Sequence, residues 1–249
     1  MQKEIKQLSE WLLNSSVTCF YGGAGTSVAS GIRDYRSRFG RWTELEEKGV
    51  SPLEYGHSKR LRTDPAGFFR DNPVLSGDAK PATTHKLLAH LEQAGHDIRV
   101  ITQNIDGLHQ DAGHRYVLEL HGNEHESYCL DCHRHYPTAD VKKDAAGIPR
   151  CPICQGIVRP TVVYFGDDIP KKDMEEAAYV LKASDLLILA GTSLSTPVAK
   201  RLLQNFQGEH LVVINLEPVD IEPLTIDFFL EEPVDDVFRA LELEMGLHL

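Results

Sequence analysis

Four cysteines in two close pairs are the clearest chemical signature of the sequence. The pairs are Cys129-x-x-Cys132 and Cys151-x-x-Cys154, and 18 residues separate them. Each pair brings two thiolates together, and two pairs complete the tetrahedron of sulfur ligands that holds a structural zinc ion. Two redox disulfides or four unrelated buried thiols are weaker alternatives, because a redox Cys-x-x-Cys would follow a strand and would not be duplicated. We therefore expect one zinc ion with no open position for catalysis.

A lone histidine just before the first cysteine pair is the candidate for chemistry. His121 lies in the stretch Leu-His-Gly-Asn at residues 120–123. The pKa of an imidazole lies near working pH, so histidine can accept a proton during a reaction. A single histidine is more often a structural side chain, and the motif gains weight only from its surroundings.

Composition restricts the class of protein. The chain has 249 residues, 41% hydrophobic and 25% charged, which is ordinary for a globular α/β protein. The formal net charge of −11 disfavours nucleic acid and anionic membrane as partners, whereas lysine-bearing segments remain favourable. No apolar run approaches the ~20 residues of a membrane span, and the first ten residues are polar. We therefore expect a cytoplasmic location.

The elements that would position these groups follow from hydrophobic periodicity. Residues 2–14 have helical spacing, and the apolar run 17–21 ends in a glycine turn. Further strand-like runs cover residues 98–102, 116–120, 186–190 and 211–215, and helical patterns cover residues 84–94, 172–181 and 197–206. Buried strands alternating with helices predict a doubly wound, Rossmann-like parallel sheet, the α/β class.

Polar or glycine-rich sequence follows each predicted strand. Such sheets bind ligands outside the carboxyl ends of their strands, so five such ends predict a nucleotide site at one edge. We expect a single catalytic unit over residues 1–249, divided into three parts. They are a large domain of residues 1–32, 81–121 and 159–249, a small zinc-ribbon module of residues 122–158, and a helical and loop insertion of residues 33–80.

Seven ordered motifs resemble the sirtuin family of NAD-dependent protein deacylases, in its bacterial form. The glycine turn alone is weak evidence, since it lacks the third glycine of the dinucleotide fingerprint and the Lys-Ser/Thr of a Walker motif. The resemblance is carried by GAGTSVASGIRDYR, TQNIDGLH, LHGN, the paired Cys-x-x-Cys, VVYFGD, GTSL and INLEP, in that order. It covers the chain from about residue 17 to residue 238.

The resemblance implies that NAD lies across the strand ends. Its diphosphate would contact the glycine turn and the GTS stretch, and a mobile loop at residues 34–36 would cover it. Ile32 and the residues 104–106 of the QNID stretch would form the nicotinamide pocket. The implied NAD contacts are Gly23, Ala24, Gly25, Thr26, Ser27, Ile32, Asp34, Tyr35, Arg36, Gln103, Asn104, Ile105, Asp106, His121, Gly191, Thr192, Ser193, Asn215 and Leu216.

The resemblance also implies the reaction. The carbonyl oxygen of an acyl-lysine would attack the nicotinamide ribose and expel nicotinamide, and the acyl group would pass from lysine to ADP-ribose. His121 would act as general base, and Asn104 would orient the ribose and a water. An extended peptide would pair with Val163, Phe165 and Gly166 on one side and with residues after Leu194 on the other.

Two departures from the family pattern bear on the substrate. Residues 191–197 lack the usual valine and aromatic run before Pro197 and are one residue shorter, which affects the second peptide-pairing segment. No Tyr-x-x-Arg occurs between Phe69 and His85, so we expect acetyl or other uncharged acyl groups. Two alternatives stay open: a protein ADP-ribosyltransferase or NAD hydrolase on the same scaffold, and a zinc-ribbon interaction module that senses a nucleotide.

Overall fold

A parallel sheet forms the centre of the computed structural model, which describes residues 2–35, 37, 40–73 and 77–249. The order of its strands is β3-β2-β1-β7-β8-β9, and every pairing in it is parallel. A second, antiparallel sheet has the order β5-β4-β6. The strands are β1 (Thr18–Gly22), β2 (Ile98–Thr102), β3 (Val117–Glu119), β4 (Glu126–Cys129), β5 (His135–Pro137), β6 (Val158–Pro160), β7 (Leu186–Ala190), β8 (His210–Ile214) and β9 (Phe228–Leu230).

Helices cover both faces of the parallel sheet. In chain order, the α-helices of the described residues are α1 (Gln2–Asn14), α2 (Arg41–Glu47), α3 (Pro52–Tyr55), α4 (Arg60–Thr63), α5 (Pro65–Asp71), α6 (Thr83–Gln93), α7 (Leu108–Asp111), α8 (Lys171–Ala183), α9 (Pro197–Leu203) and α10 (Val234–Glu244). Short 3-10 helices span Ala24–Ser30 and Thr138–Asp140.

Alternation along the strands divides the core into two clusters. Phe20 packs on the face covered by α1, α6 and α10, whereas Cys19 and Tyr21 pack on the face covered by α8 and α9. Each fully buried leucine or phenylalanine stabilises the fold by about 1.5–3 kcal/mol, so both faces contribute. The prediction of a doubly wound parallel sheet is therefore confirmed.

The structure adds two elements that hydrophobic periodicity did not predict. Strand β9 has only three residues and follows an irregular segment, which makes its pattern too short to recognise. Helix α10 buries Val234, Val237, Phe238 and Leu241, and it packs between α1 and α6. It begins directly after a proline and two glutamates at residues 231–233, and that polar start obscures its helical spacing.

The glycine turn after β1 leads into a 3-10 helix and not into an α-helix. Gly25, Thr26 and Val28 all have low α-helical propensity, and Gly31 ends the segment with a φ of 86°. The four helices α2–α5 occupy the insertion, and Arg62 joins it to the turn of the first cysteine pair through a 2.9 Å ion pair with Asp131. Our division into three parts remains a proposal, and β6 extends the small sheet to Pro160.

Among the described residues, no helix has both the length and the apolar character needed to cross a membrane.

Candidate active site and metal centre

Strand register brings the predicted NAD contacts to one edge of the sheet. Gly22 at the end of β1 lies beside Thr102 of β2 and Ala190 of β7. The next hydrogen bonds continue this alignment: the Gln103 N–H donates to Gly22 O at 3.0 Å, and the Gly23 N–H donates to Ala190 O at 3.0 Å. The polar sequences after these strands therefore start side by side, as a ligand site at the strand ends requires.

Glycine at three positions allows the loops after β1 and β7 to touch. A Cβ on Gly25 would lie 2.7 Å from Gly191 Cα, and one on Gly191 would lie 2.6 Å from the Thr26 nitrogen. Gly191 also has a φ of 59°, which favours glycine. A Cβ on Gly23 would lie 2.6 Å from Gly191 O. Larger residues would separate the two loops that are predicted to hold the diphosphate.

A buried hydrogen-bond network joins the glycine turn to the QNID stretch. The Ser27 hydroxyl donates to Asp106 Oδ2 at 2.6 Å, and the Asn104 amide donates to Ser27 Oγ at 2.9 Å. Asp106 Oδ1 accepts the Leu108 N–H at 3.0 Å. Ser27 and Asp106 are 1% and 7% exposed, so little water competes for these bonds. Two segments 77 residues apart are thereby fixed to each other.

His121 lies at the end of β3 with one ring nitrogen anchored. Its Nδ1 is 3.0 Å from the carbonyl oxygen of Gln103. A carbonyl oxygen only accepts, so Nδ1 carries the proton, and the lone pair of the neutral ring is on Nε2. The Gln103 side chain accepts a hydrogen bond from the Thr192 hydroxyl at 3.0 Å, which links this anchor to the loop after β7. This orientation is the one that the predicted role of general base requires.

Of the remaining predicted NAD contacts, Ile32 is bonded directly to this network. The Ile32 N–H donates to Ser27 O at 3.3 Å, Asp34 Oδ1 accepts the Ser37 N–H at 2.8 Å, and Asn215 Nδ2 donates to Glu217 O at 2.7 Å. Leu216 is 61% exposed beyond the end of β8. Arg36 lies outside the described residues. Ala24, Ile105 and Ser193 lie within the loops already described, after β1, β2 and β7 respectively.

The residues at this edge fit a dinucleotide. The Thr26 hydroxyl is buried in the glycine turn without a partner among the described residues, and the same holds for the hydroxyl of Tyr21. Tyr21 lines a narrow cavity together with Gln103 and His121. Hydroxyls that lack partners suit the oxygens of a diphosphate and its sugars.

The predicted peptide-pairing segment lies directly beside His121. The Val163 N–H donates to His121 O at 2.8 Å. Phe165 forms a parallel bridge with His57, and its carbonyl oxygen accepts the Ser58 N–H at 2.9 Å. Gly166 has a φ of 86° and is exposed. The Val163 N–H and the Phe165 carbonyl oxygen are thus already engaged, so a peptide would have to pair with the other backbone groups of this segment.

The shortened loop after β7 has an unusual conformation. Leu194 is 1% exposed and has a φ of 44°, a left-handed value that is uncommon for leucine. Thr196 caps α9 by accepting the Ala199 N–H at 3.3 Å, so the helix begins at Pro197. Residues 194–196 are therefore partly committed to the turn and the cap.

The four cysteines converge as a zinc site requires. Their sulfur atoms all lie within 4.8 Å of one another, with 3.5 Å between Cys129 and Cys154 and 3.6 Å between Cys132 and Cys151. Four sulfurs at 2.3 Å from a tetrahedral zinc ion would be separated by about 3.8 Å, so the cluster fits the metal. The Tyr136 hydroxyl lies 3.1 Å from Cys151 Sγ and supports that ligand from outside. His125, His133 and His135 are exposed, as expected of histidines that do not bind the metal.

Sequence reasoning missed several supporting residues. His125 Nε2 donates to the carbonyl oxygen of Asp106 at 2.8 Å, and no motif indicates this contact. Three buried histidines lie against the loop at Asp106: His85, His109 and His114. Burial lowers the pKa of each, in the case of His85 to about 4, so these imidazoles are neutral in the folded protein.

Burial also raises the pKa of Glu119 at the end of β3, although the Asn123 amide donates to Glu119 Oε2 at 2.8 Å and opposes the shift. This carboxyl fixes the Leu-His-Gly-Asn turn that carries His121.

A parallel α/β sheet with a nucleotide site at its strand ends and a four-thiolate module defines a zinc-bearing, dinucleotide-binding α/β protein. The sequence profile of the Sir2 family matches residues 23–197. The chain is 44% identical over 215 residues to a Cutibacterium acnes protein named NAD-dependent protein deacetylase, covering 85% of this chain and 87% of that one. A Staphylococcus aureus protein of the same name is 38% identical over 217 residues, with 86% and 88% coverage.

Solved structures agree with the sequence relatives. A Sir2 structure with a deacetylated p53 peptide and 3'-O-acetyl ADP-ribose is 31% identical and has a TM-score of 0.85, covering 98% of this chain and 99% of its own. The chain belongs to the Sir2 family, the sirtuins.

Proposed function

We propose that this protein is an NAD-dependent protein-lysine deacetylase that transfers the acyl group from lysine to ADP-ribose and releases nicotinamide. One observation carries the proposal: the proton of His121 Nδ1 is held by the Gln103 carbonyl at the same sheet edge that joins the glycine turn to Asn104. An imidazole whose Nδ1 proton is anchored and whose Nε2 carries the lone pair, beside a dinucleotide site, is what a general base for a ribose hydroxyl needs. The relatives named above carry the same activity in their names.

Each group at the edge has a distinct task. The loops at residues 23–27 and 191–193 bind the diphosphate, and the Thr26 hydroxyl is available to donate to it. Bound NAD supplies a ribose carbon from which nicotinamide can leave. Asn104, fixed by Ser27, orients that ribose, and His121 Nε2 accepts a proton from its hydroxyl. The segment at residues 34–35 covers the site and excludes water.

The substrate is an acylated lysine in an extended protein segment. Val163 lies against His121, so a peptide pairing with Val163 and Gly166 would bring its lysine to the ring. The absence of Tyr-x-x-Arg between Phe69 and His85 leaves acetyl and other uncharged acyl groups as the favoured substrates. The acidic net charge of −11 favours lysine-rich segments.

A second candidate activity keeps NAD and changes the acceptor, so that ADP-ribose passes to a protein side chain or to water as nicotinamide leaves. Leu194 is buried in a left-handed turn, and Thr196 caps α9, so the second peptide-pairing segment is shorter than in the family pattern. If that segment cannot bind peptide, the same site would act as a protein ADP-ribosyltransferase or as an NAD hydrolase.

Nicotinamide release tests the proposal. We expect steady-state release from NAD that depends on an acetyl-lysine peptide and that falls by about 10²–10⁴-fold in His121→Ala, because each turnover needs the general base to be completed. His96→Ala is the control, since His96 precedes β2 at the opposite edge of the sheet. Release that needs no acylated peptide, or label from NAD on protein, would select the second candidate.

Location and other partners belong to the same proposal. A cytoplasmic location, and the lack of nucleic-acid and membrane partners, rest on the composition and the acidic charge. Cell fractionation with antibody detection tests the location, and enrichment in the membrane fraction would contradict it.

A further inference from the structure

Trp42 lies between the two segments that the proposed function assigns to different ligands. Its ring contacts that of Tyr35, with 5.8 Å between ring centroids and 69° between planes. On the other side it contacts the ring of Phe165 at 5.9 Å and 74°. Both contacts are edge-to-face, an arrangement that aromatic pairs prefer. Tyr35 belongs to the predicted NAD segment and Phe165 to the predicted peptide segment, so a single side chain touches both.

The backbone ties Trp42 to the NAD segment. The Trp42 N–H donates to Tyr35 O at 2.8 Å, and the Arg41 N–H donates to Asp34 O at 3.3 Å. These two bonds join the first turn of α2 to residues 34–35. Any displacement of that segment therefore also displaces the indole ring.

Phe165 is held on its other side by the insertion. Its carbonyl oxygen accepts the Ser58 N–H, and a Cβ on Gly56 would lie 3.3 Å from its ring. The ring thus lies between α3 and Trp42, and it cannot move far without disturbing one of them. Two residues earlier, Val163 is bonded to His121 O. The two ring contacts of Trp42 therefore connect the NAD segment to the peptide segment beside His121.

We propose that Trp42 is a positioning residue that couples the two ligands, so that NAD and the acylated peptide each increase the affinity of the protein for the other. The inference rests on the proposed function, because it requires both ligands. A ligand that orders residues 34–35 fixes Trp42 and with it Phe165, and the second ligand then meets a strand already in place. Two aromatic contacts correspond to a coupling factor on the order of tenfold.

The coupling factor is the ratio of the dissociation constants of one ligand in the absence and in the presence of the other. Calorimetric titration measures it. The probes are carba-NAD, which cannot release nicotinamide, and an acetyl-lysine peptide, each titrated alone and in the presence of the other. The variants are Trp42→Leu, which removes both ring contacts, and Trp42→Phe, which keeps an aromatic ring. Trp11→Phe is the matched control, since Trp11 is the only other tryptophan in the sequence and stacks on His210 away from the site.

We expect a factor of about ten in the unmodified protein and in Trp11→Phe, a factor within about threefold of that in Trp42→Phe, and a factor near one in Trp42→Leu. If Trp42 had only a structural role, Trp42→Leu would weaken the binding of both ligands and leave the coupling factor unchanged. An unchanged factor in Trp42→Leu would overturn the inference, and so would independent binding of the two ligands to the unmodified protein. Failure of the unmodified protein to bind either ligand would instead overturn the proposed function.

If Trp42→Leu does not fold, tryptophan fluorescence provides a second test of the coupling. In Trp11→Phe, Trp42 is the sole tryptophan, so its emission reports directly on the contact. We expect its emission to change when either ligand binds alone. An emission spectrum that responds to neither ligand, although calorimetry detects both binding, would contradict the coupling.

Discussion

Replacing Ser27 by alanine would break the link between the glycine turn and the QNID stretch. Ser27 donates to the buried Asp106 carboxylate at 2.6 Å and accepts from the Asn104 amide at 2.9 Å. A hydrogen bond to a buried charged group contributes about 1.5–3 kcal/mol, and a neutral one about 1 kcal/mol. Among the described residues, the Asp106 side chain then keeps the Leu108 N–H as its hydrogen-bond donor. We therefore expect Ser27→Ala to lower the free energy of unfolding by about 3 kcal/mol.

Ser184→Ala is the matched control for this loss. Ser184 is 3% exposed, and its hydroxyl donates to the neutral Val180 carbonyl at 2.7 Å, just before β7 at the opposite edge of the sheet. Its loss should cost about 1 kcal/mol and leave turnover unchanged. Ser27→Ala should also lower kcat/KM by roughly tenfold or more, because Asn104 loses the bond that orients it.

Urea denaturation and nicotinamide-release kinetics on both variants measure these effects. A double-mutant cycle with Asn104→Ala should give a coupling energy of about 1 kcal/mol for the direct bond. If Ser27→Ala destabilises no more than Ser184→Ala, or if the cycle gives no coupling, the network does not hold the site together.

Three further predictions concern the metal, the loops and pH. Metal analysis should find one zinc ion per chain in the unmodified protein and in His121→Ala, and less than half of that in Cys132→Ser; full occupancy without Cys132 would refute the four-thiolate site. Gly191→Ala should weaken carba-NAD binding by at least about tenfold, because its Cβ would meet Thr26; Gly95→Ala, with a φ of 105° and open space, should only strain its own turn, and equal binding by both would contradict the loop contact. The pKa of His85 is lowered from 6.5 to about 4 by burial against the opposing pull of Asp106 and Asp235, so the unfolded chain binds the extra proton first. The contribution of His85 to stability is then full above pH 6.5 and falls by about 1.4 kcal/mol per pH unit as the pH drops toward 4. Burial lowers the pKa of His109 as well, so urea denaturation should show a shallower fall with decreasing pH in His109→Leu. An equal slope would refute the buried neutral cluster.

The parallel sheet could be predicted because a continuous apolar run indicates a strand that is buried on both of its faces. Residues 98–102 and 186–190 coincide with β2 and β7, whereas β9 is too short to have a readable period. The cysteine cluster was equally predictable, since two Cys-x-x-Cys pairs have few other uses. The convergence of strand ends also followed from the sheet class alone.

Contacts that depend on side-chain packing could not be predicted. The bond from His125 to the Asp106 carbonyl joins residues 19 apart through a turn that has no motif. The contacts of Trp42 depend on how the insertion folds against Phe165, and neither spacing nor composition encodes that arrangement. The left-handed Leu194 follows from a shortened loop whose conformation the neighbouring strand and helix impose.

Mass spectrometry of the products made from NAD and an acetyl-lysine peptide tests the central claim most directly. If His121 and the dinucleotide meet at the strand ends as the network at Ser27 and Gln103 indicates, the products are nicotinamide, free lysine peptide and acetyl-ADP-ribose. Acetyl-ADP-ribose should be missing from His121→Ala and present at normal levels with His96→Ala. Free ADP-ribose with the peptide still acetylated, or unchanged product from His121→Ala, would contradict the account.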